Sequence, residues 1–134
     1  MSPTQRTQAF LRSHGFEVAN CERKVPCTPS GYKGRLVTQD LFGLIDTMAI
    51  HPKEWADLLA IQTTNAGNHG NHRRKILESP LAPILARHVR IELWSWRKGG
   101  PRGKRKLWML RRERFALTGA AGNFTSYQVE DDEI

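Results

Sequence analysis

One acid stands inside an otherwise apolar stretch. Leu41-Phe42-Gly43-Leu44-Ile45-Asp46-Thr47-Met48-Ala49-Ile50 carries Asp46 among neighbours that belong in a core. A carboxylate taken out of water is costly unless it is paired, hydrogen-bonded or bound to a cation. Two readings follow: Asp46 sits at a strand end in solvent or against an arginine, or it is an oxygen ligand for a divalent cation such as magnesium, which favours carboxylates and carbonyls. A second apolar stretch, with Leu58-Leu59-Ala60-Ile61 at its centre, ends in the polar burst Gln62-Thr63-Thr64. Two buried strands joined by a turn at Pro52 are expected to pair antiparallel, which returns that polar end to the side of Asp46. Gln62 and Thr64 share a face under the two-residue period of a strand. A carboxylate, an amide and a hydroxyl are thus expected at one spot.

Two basic clusters accompany them. His69, His72 and Arg73 are spaced three and four apart, one face of a helix, and Arg74 and Lys75 follow directly. His69 and His72 have no third ligand of suitable type nearby in sequence, so a phosphate-facing surface is a better reading than zinc. The second cluster lies between residues 97 and 114, where nine basic residues face one acid, Glu113. Arg97, Lys98, Arg102, Lys104, Arg105 and Lys106 surround Gly99, Gly100, Pro101 and Gly103, as in a basic ribbon that enters a groove or tracks a backbone. Trp94, Trp96 and Trp108 flank it, read first as cross-strand core partners and second as base-stacking surfaces. The chain carries 21 Lys and Arg against 13 Asp and Glu, net +8, and four of those acids crowd at Glu130 to Glu133. A basic body with an acidic end implies a polyanionic partner, DNA or another nucleic acid.

The elements that must position these residues follow from periodicity and punctuation. Thr4 reads as the cap of a helix stopped by Gly15, and residues 16–18 as a short extended segment. Pro26, Pro29, Gly31 and Gly34 make residues 21–38 a loop. Residues 41–50 read as a buried strand, or a tight turn leading into one, and residues 55–64 as a second strand. A loop over residues 65–71 leads to a helix over 72–77, and a second helical piece covers 80–88. Residues 88–97 and 106–112 alternate as the two strands of a hairpin. The division is a domain over residues 1–115 and a weakly ordered acidic tail over 116–134. Cys21 and Cys27, the sole cysteines, form neither a zinc site nor a disulfide framework and read as reduced thiols. No apolar run reaches signal or transmembrane length, so a cytoplasmic chain with no membrane partner is expected.

A leading helix, an apolar strand ending in Ile45-Asp46, a second strand ending in a polar motif and then a basic helix resemble the PD-(D/E)XK nuclease superfamily over residues 4–112. The resemblance implies an α/β restriction-endonuclease-like core, with a mixed central sheet flanked by helices. It implies that Asp46 is the metal-binding aspartate, that Gln62 stands where Glu or Asp is usual, and that Thr64 stands where Lys is usual. Lys75 would be a relocated lysine, and Glu22, favoured over Glu17, the acid from the leading region. The implied activity is Mg2+- or Mn2+-dependent hydrolysis of DNA phosphodiesters, with a homodimer as one arrangement. The departures at Gln62 and Thr64 keep a second function in view, a non-catalytic nucleic-acid-binding module on the same core. A third is an interaction protein whose acidic tail covers its own basic surface.

Overall fold

The computed structural model describes residues 1–26, 36–53, 57–100, 103 and 107–130. Helix α1 spans Pro3–Ser13. Its cap is Ser2 rather than Thr4, because Ser2 and Gln5 make a reciprocal capping box with Pro3 in the first turn. Thr4 is thereby released for another role. Gly15, at φ +87°, ends the helix as expected and turns the chain into strand β1, Glu17–Asn20. Strands β2, Arg23–Pro26, and β3, Leu36–Gln39, pair antiparallel, so the ends of the expected loop over 21–38 are a ribbon. Prolines and glycines in the sequence between obscured that pairing.

Of the two readings of residues 41–50, the turn leading into a strand is the one observed. Leu41 and Ile45 form an isolated bridge across a tight turn, and strand β4 is confined to Thr47–Ile50. Strand β5, Leu59–Asn65, pairs antiparallel with β4, as its apolar pattern required. The basic helix α2 covers His69–Glu78, longer at both ends than expected, and a short α3 covers Ala82–Leu85. These helices carry the chain back so that β6, Arg90–Gly99, lies parallel to β5. Strand β7, Leu107–Thr118, returns antiparallel in the expected hairpin, and β8, Asn123–Gln128, adds a final strand. Residues 116–128 are therefore sheet rather than weakly ordered tail, because their Gly-rich stretch forms a turn and Phe124 packs on the core. The acids Asp131 to Glu133 lie outside the described residues.

The result is a mixed α/β fold on a six-stranded sheet in the order β1-β4-β5-β6-β7-β8. Both faces of β5 and β6 are covered. Leu59, Ile61, Trp94 and Trp96 meet Leu11 and Phe16 on the α1 side, while Ala60, Ile91, Leu93 and Phe115 meet Ile76 and Ala82 on the other. Trp94 and Trp96 are thus core partners, whereas Trp108 is 43% exposed between Arg6 and Lys98. No helix among the described residues is long and apolar enough to cross a membrane.

The α1 face also buries a charge. Glu92, fully buried, accepts from Arg90 Nε at 2.7 Å, Arg112 Nε at 3.0 Å and the Trp94 indole at 3.0 Å. Removing one partner of a buried ion pair strands the other in low dielectric. Arg112→Leu is expected to destabilise by about 3 kcal/mol, and Glu92→Leu/Arg112→Leu by less than the sum of the singles. Urea denaturation of the four proteins in the cycle measures both.

Candidate functional site

Strand β5 outruns its neighbour. The β4–β5 ladder begins at the pair Thr47 and Ile61, and continuing that register would place Ile45 against Thr63. Ile45, however, has turned away to bond Leu41. Asp46 fills the gap with its side chain: the Thr63 backbone N–H donates to Asp46 Oδ2 at 2.8 Å, where a strand carbonyl would otherwise accept. The Thr63 hydroxyl donates to the same oxygen at 3.0 Å and Gln62 Nε2 at 3.2 Å, while the Thr47 hydroxyl donates to Oδ1 at 3.0 Å.

Sequence spacing thus brings Asp46 and Gln62 together as expected, but the hydroxyl that joins them belongs to Thr63, not Thr64. The period-two argument assumed that Asp46 stands over one face of β5. It stands at the strand's edge instead, where it reaches both the Gln62 side chain and the next residue's backbone. Thr63 Oγ1 lies 2.8 Å from Thr4 Oγ1, and the Thr4 hydroxyl also reaches Glu22 Oε1 at 3.3 Å. Glu22 therefore connects to Asp46 through two hydroxyls, and the helix cap at Ser2 is what leaves Thr4 available.

Asp46 is 1% exposed, and burial pushes its carboxyl up to about 7 against the lowering pull of the hydrogen bonds from Thr63 and Thr47. Asp40 adds to the rise. Leu41 and Ile45 exchange both backbone hydrogen bonds, at 2.8 and 3.0 Å, so the next pair outward across the turn is Asp40 with Asp46. Asp40 is not among the residues expected at the site; its signal in the sequence is a second acid just before the Leu41–Ile45 turn. The Cys21 N–H donates to the Asp46 carbonyl at 2.8 Å, and burial followed by the Asp46 charge raises its thiol pKa.

The basic helix divides its residues between two environments. His69 is buried, with Nδ1 at 2.7 Å from Ser95 Oγ and Nε2 at 2.8 Å from Glu113 Oε1, so it belongs to the core and not to a phosphate-facing surface. Arg73 donates to Glu113 at 2.7 Å and to Ser126 at 3.2 Å, which commits it to the sheet. Burial pushes Glu113 up, but the bonds from Ser126, His69 and Arg73 outweigh it and hold the carboxyl below the usual range. Arg74 and Lys75 are exposed and line a cleft against Phe42 and Leu44. His72 lies half-buried nearby, its pKa lowered by burial and then by Lys75, with Asp40 opposing. Arg97 and Lys98 are exposed on β6. Arg102, Lys104, Arg105 and Lys106 lie outside the described residues.

The oxygens around Asp46 suit a hard cation in part. Oδ1 accepts one hydrogen bond where a carboxylate oxygen can take two, and Gln62 Oε1 is buried with no hydrogen-bond partner among the described residues. Both atoms are hard donors, and magnesium usually keeps several waters and shares its remaining positions with a substrate phosphate. No group of three or more His, Cys, Asp or Glu that could hold a metal ion occurs among the described residues. Asp46 Oδ1 and Gln62 Oε1 are thus oxygens at this spot with acceptor capacity to spare.

Comparison with known protein families, with curated proteins and with solved structures finds no match to this chain.

The raised Asp46 pKa has a consequence for stability. The folded protein binds this proton more tightly than the unfolded chain, so the stabilisation is full below about pH 4 and is lost as pH rises through about 7. Asp46→Asn removes that slope. Between pH 5 and pH 8 the variant is expected to gain about 2–3 kcal/mol on wild type, read from urea midpoints at the two pH values. A constant difference between the proteins would show that Asp46 titrates at its ordinary value.

Proposed function

We propose that this chain is a nucleic-acid-binding protein on a restriction-endonuclease-like core, and that it hydrolyses DNA phosphodiester bonds with a divalent cation recruited together with the substrate. One observation carries the reading: Asp46, Gln62 and Thr63 converge at the carboxyl end of β5, beside a helix that presents Arg74 and Lys75. That end belongs to the strand that pairs antiparallel with β4 on one side and parallel with β6 on the other. The order of elements also supports it: a leading helix, then β1 and the β2–β3 ribbon, then Asp46 leading into β4, the Gln62 strand, a basic helix and a parallel strand. The net charge of +8 supplies the attraction for a polyanion.

In this reading Asp46 Oδ1 and Gln62 Oε1 would hold Mg2+ or Mn2+. When bound, such an ion lowers the pKa of water and offsets charge on the scissile phosphate. Thr63 and Thr47 fix the Asp46 carboxylate from both sides, and Thr4 Oγ1 lies against the Thr63 hydroxyl. Arg74 and Lys75 bind phosphate, Lys75 replacing the lysine that Thr64 does not provide. A cation would also draw Asp46 into its charged form, which its burial otherwise opposes.

A second reading, a binding module without turnover, is favoured by the saturation of Asp46 Oδ2 by three donors of its own chain. A single assay separates the two. Linear, nicked and branched DNA are incubated with magnesium or manganese and either wild type or Asp46→Ala. Cleavage by wild type that drops at least a hundredfold in the variant is expected. Salt-sensitive binding without cleavage of any substrate would leave the module, and absence of salt-sensitive binding would remove both.

A further inference from the structure

The turn that positions Asp46 has an unusual tip. Phe42, at φ +55°, and Gly43, at φ +70°, are the central residues, and Leu44 N–H closes the turn on Leu41 O at 3.0 Å. Two successive positive φ values are the pattern of a type I′ turn, whose first central position favours Asn, Asp or Gly. Phenylalanine there is strained, and among the described residues Phe42 is the one non-glycine residue with positive φ. The strain is not offset by burial, since Phe42 is 58% exposed. An aromatic ring is held in solvent by a backbone conformation that does not suit it.

The ring borders an open cleft of about 460 Å3 whose opposite wall is α2, with Asn71, Arg74, Lys75 and Glu78 among its lining residues. That volume lies in the range of sites for small organic ligands. Two cations against one carboxylate give the wall a positive balance, and Asn71 offers both a donor and an acceptor. A ring with a free face, beside guanidinium and ammonium groups, matches a base joined to a phosphate.

We propose that the Phe42 turn and α2 form a subsite for one unpaired nucleotide, its base stacked on Phe42 and its phosphate held by Arg74 and Lys75. The inference rests on the nucleic-acid reading above and names the substrate class as single-stranded or locally unpaired. A paired base within a duplex has both faces covered by its neighbours and offers none to Phe42. The subsite also lies beside the candidate centre, because Asp40 and Asp46 stand at the foot of the turn that carries Phe42 at its tip.

The test is binding of a labelled single-stranded oligodeoxynucleotide and of the matching blunt duplex, by fluorescence anisotropy, to wild type, Phe42→Gly, Phe42→Leu and Phe42→Trp. Glycine suits a positive φ, so Phe42→Gly is expected to melt no lower than wild type. Its affinity for the single strand is expected to fall about tenfold, with duplex affinity within about twofold. Phe42→Leu, still apolar but without a ring, is expected to follow glycine, and Phe42→Trp to retain wild-type affinity. Undiminished single-strand binding in Phe42→Gly and Phe42→Leu, or an equal loss on both ligands, overturns the subsite while leaving nucleic-acid binding intact. If wild type binds neither ligand, the subsite and the nucleic-acid reading fall together.

Discussion

A strand that extends past its neighbour exposes backbone donors, and in this protein a side chain closes that edge. The Asp46 carboxylate accepts the Thr63 N–H at 2.8 Å where β4 has not yet begun. The same oxygen then gathers the Thr63 hydroxyl and the Gln62 amide. Edge closure and assembly of the candidate site are one event: the turn at Leu41–Ile45 removes the backbone that would have paired, and the adjacent acid takes its place. The constraint is demanding, because a carboxylate used in this way is buried and its charged form is disfavoured.

The remaining buried charges are arranged differently. On the α1 face, Glu92 is matched by Arg90 and Arg112; on the α2 face, Glu113 is matched by Arg73 and the His69 ring. Each of these acids has a cationic or hydrogen-bonding side chain reaching it from a defined element, and each ties strands to one another or to a helix. Asp46 instead receives hydroxyls, an amide and a backbone N–H, none of which neutralises it. The contrast separates acids matched by cations from one whose charged form is held by neutral donors alone.

Periodicity made much of the frame legible. The alternation around Trp94 and Trp108 required a hairpin, and the apolar runs on either side of Pro52 required an antiparallel pair, both observed. Composition misled where it stood in for pairing. Gly119 and Gly122 flank a turn into β8 rather than a frayed end, and Pro26 ends a strand of a small ribbon. Hydrogen bonds between strands depend on partners far along the chain, which local composition does not contain.

The sequence by itself determined that an acid lies within an apolar stretch, that Gln62 returns to it, and that a basic segment follows. These depend on spacing and on the two-residue period, which are local. Only the tertiary structure decided that Thr63 rather than Thr64 completes the contact, since that turns on whether Asp46 faces the strand or its edge. It alone buried His69 against Glu113, tied the exposed Arg73 to the same acid and left Arg74 and Lys75 at the cleft. A helix lays out its side chains at fixed angles, but which of those angles meets the sheet is set by packing against residues that the helix itself does not contain.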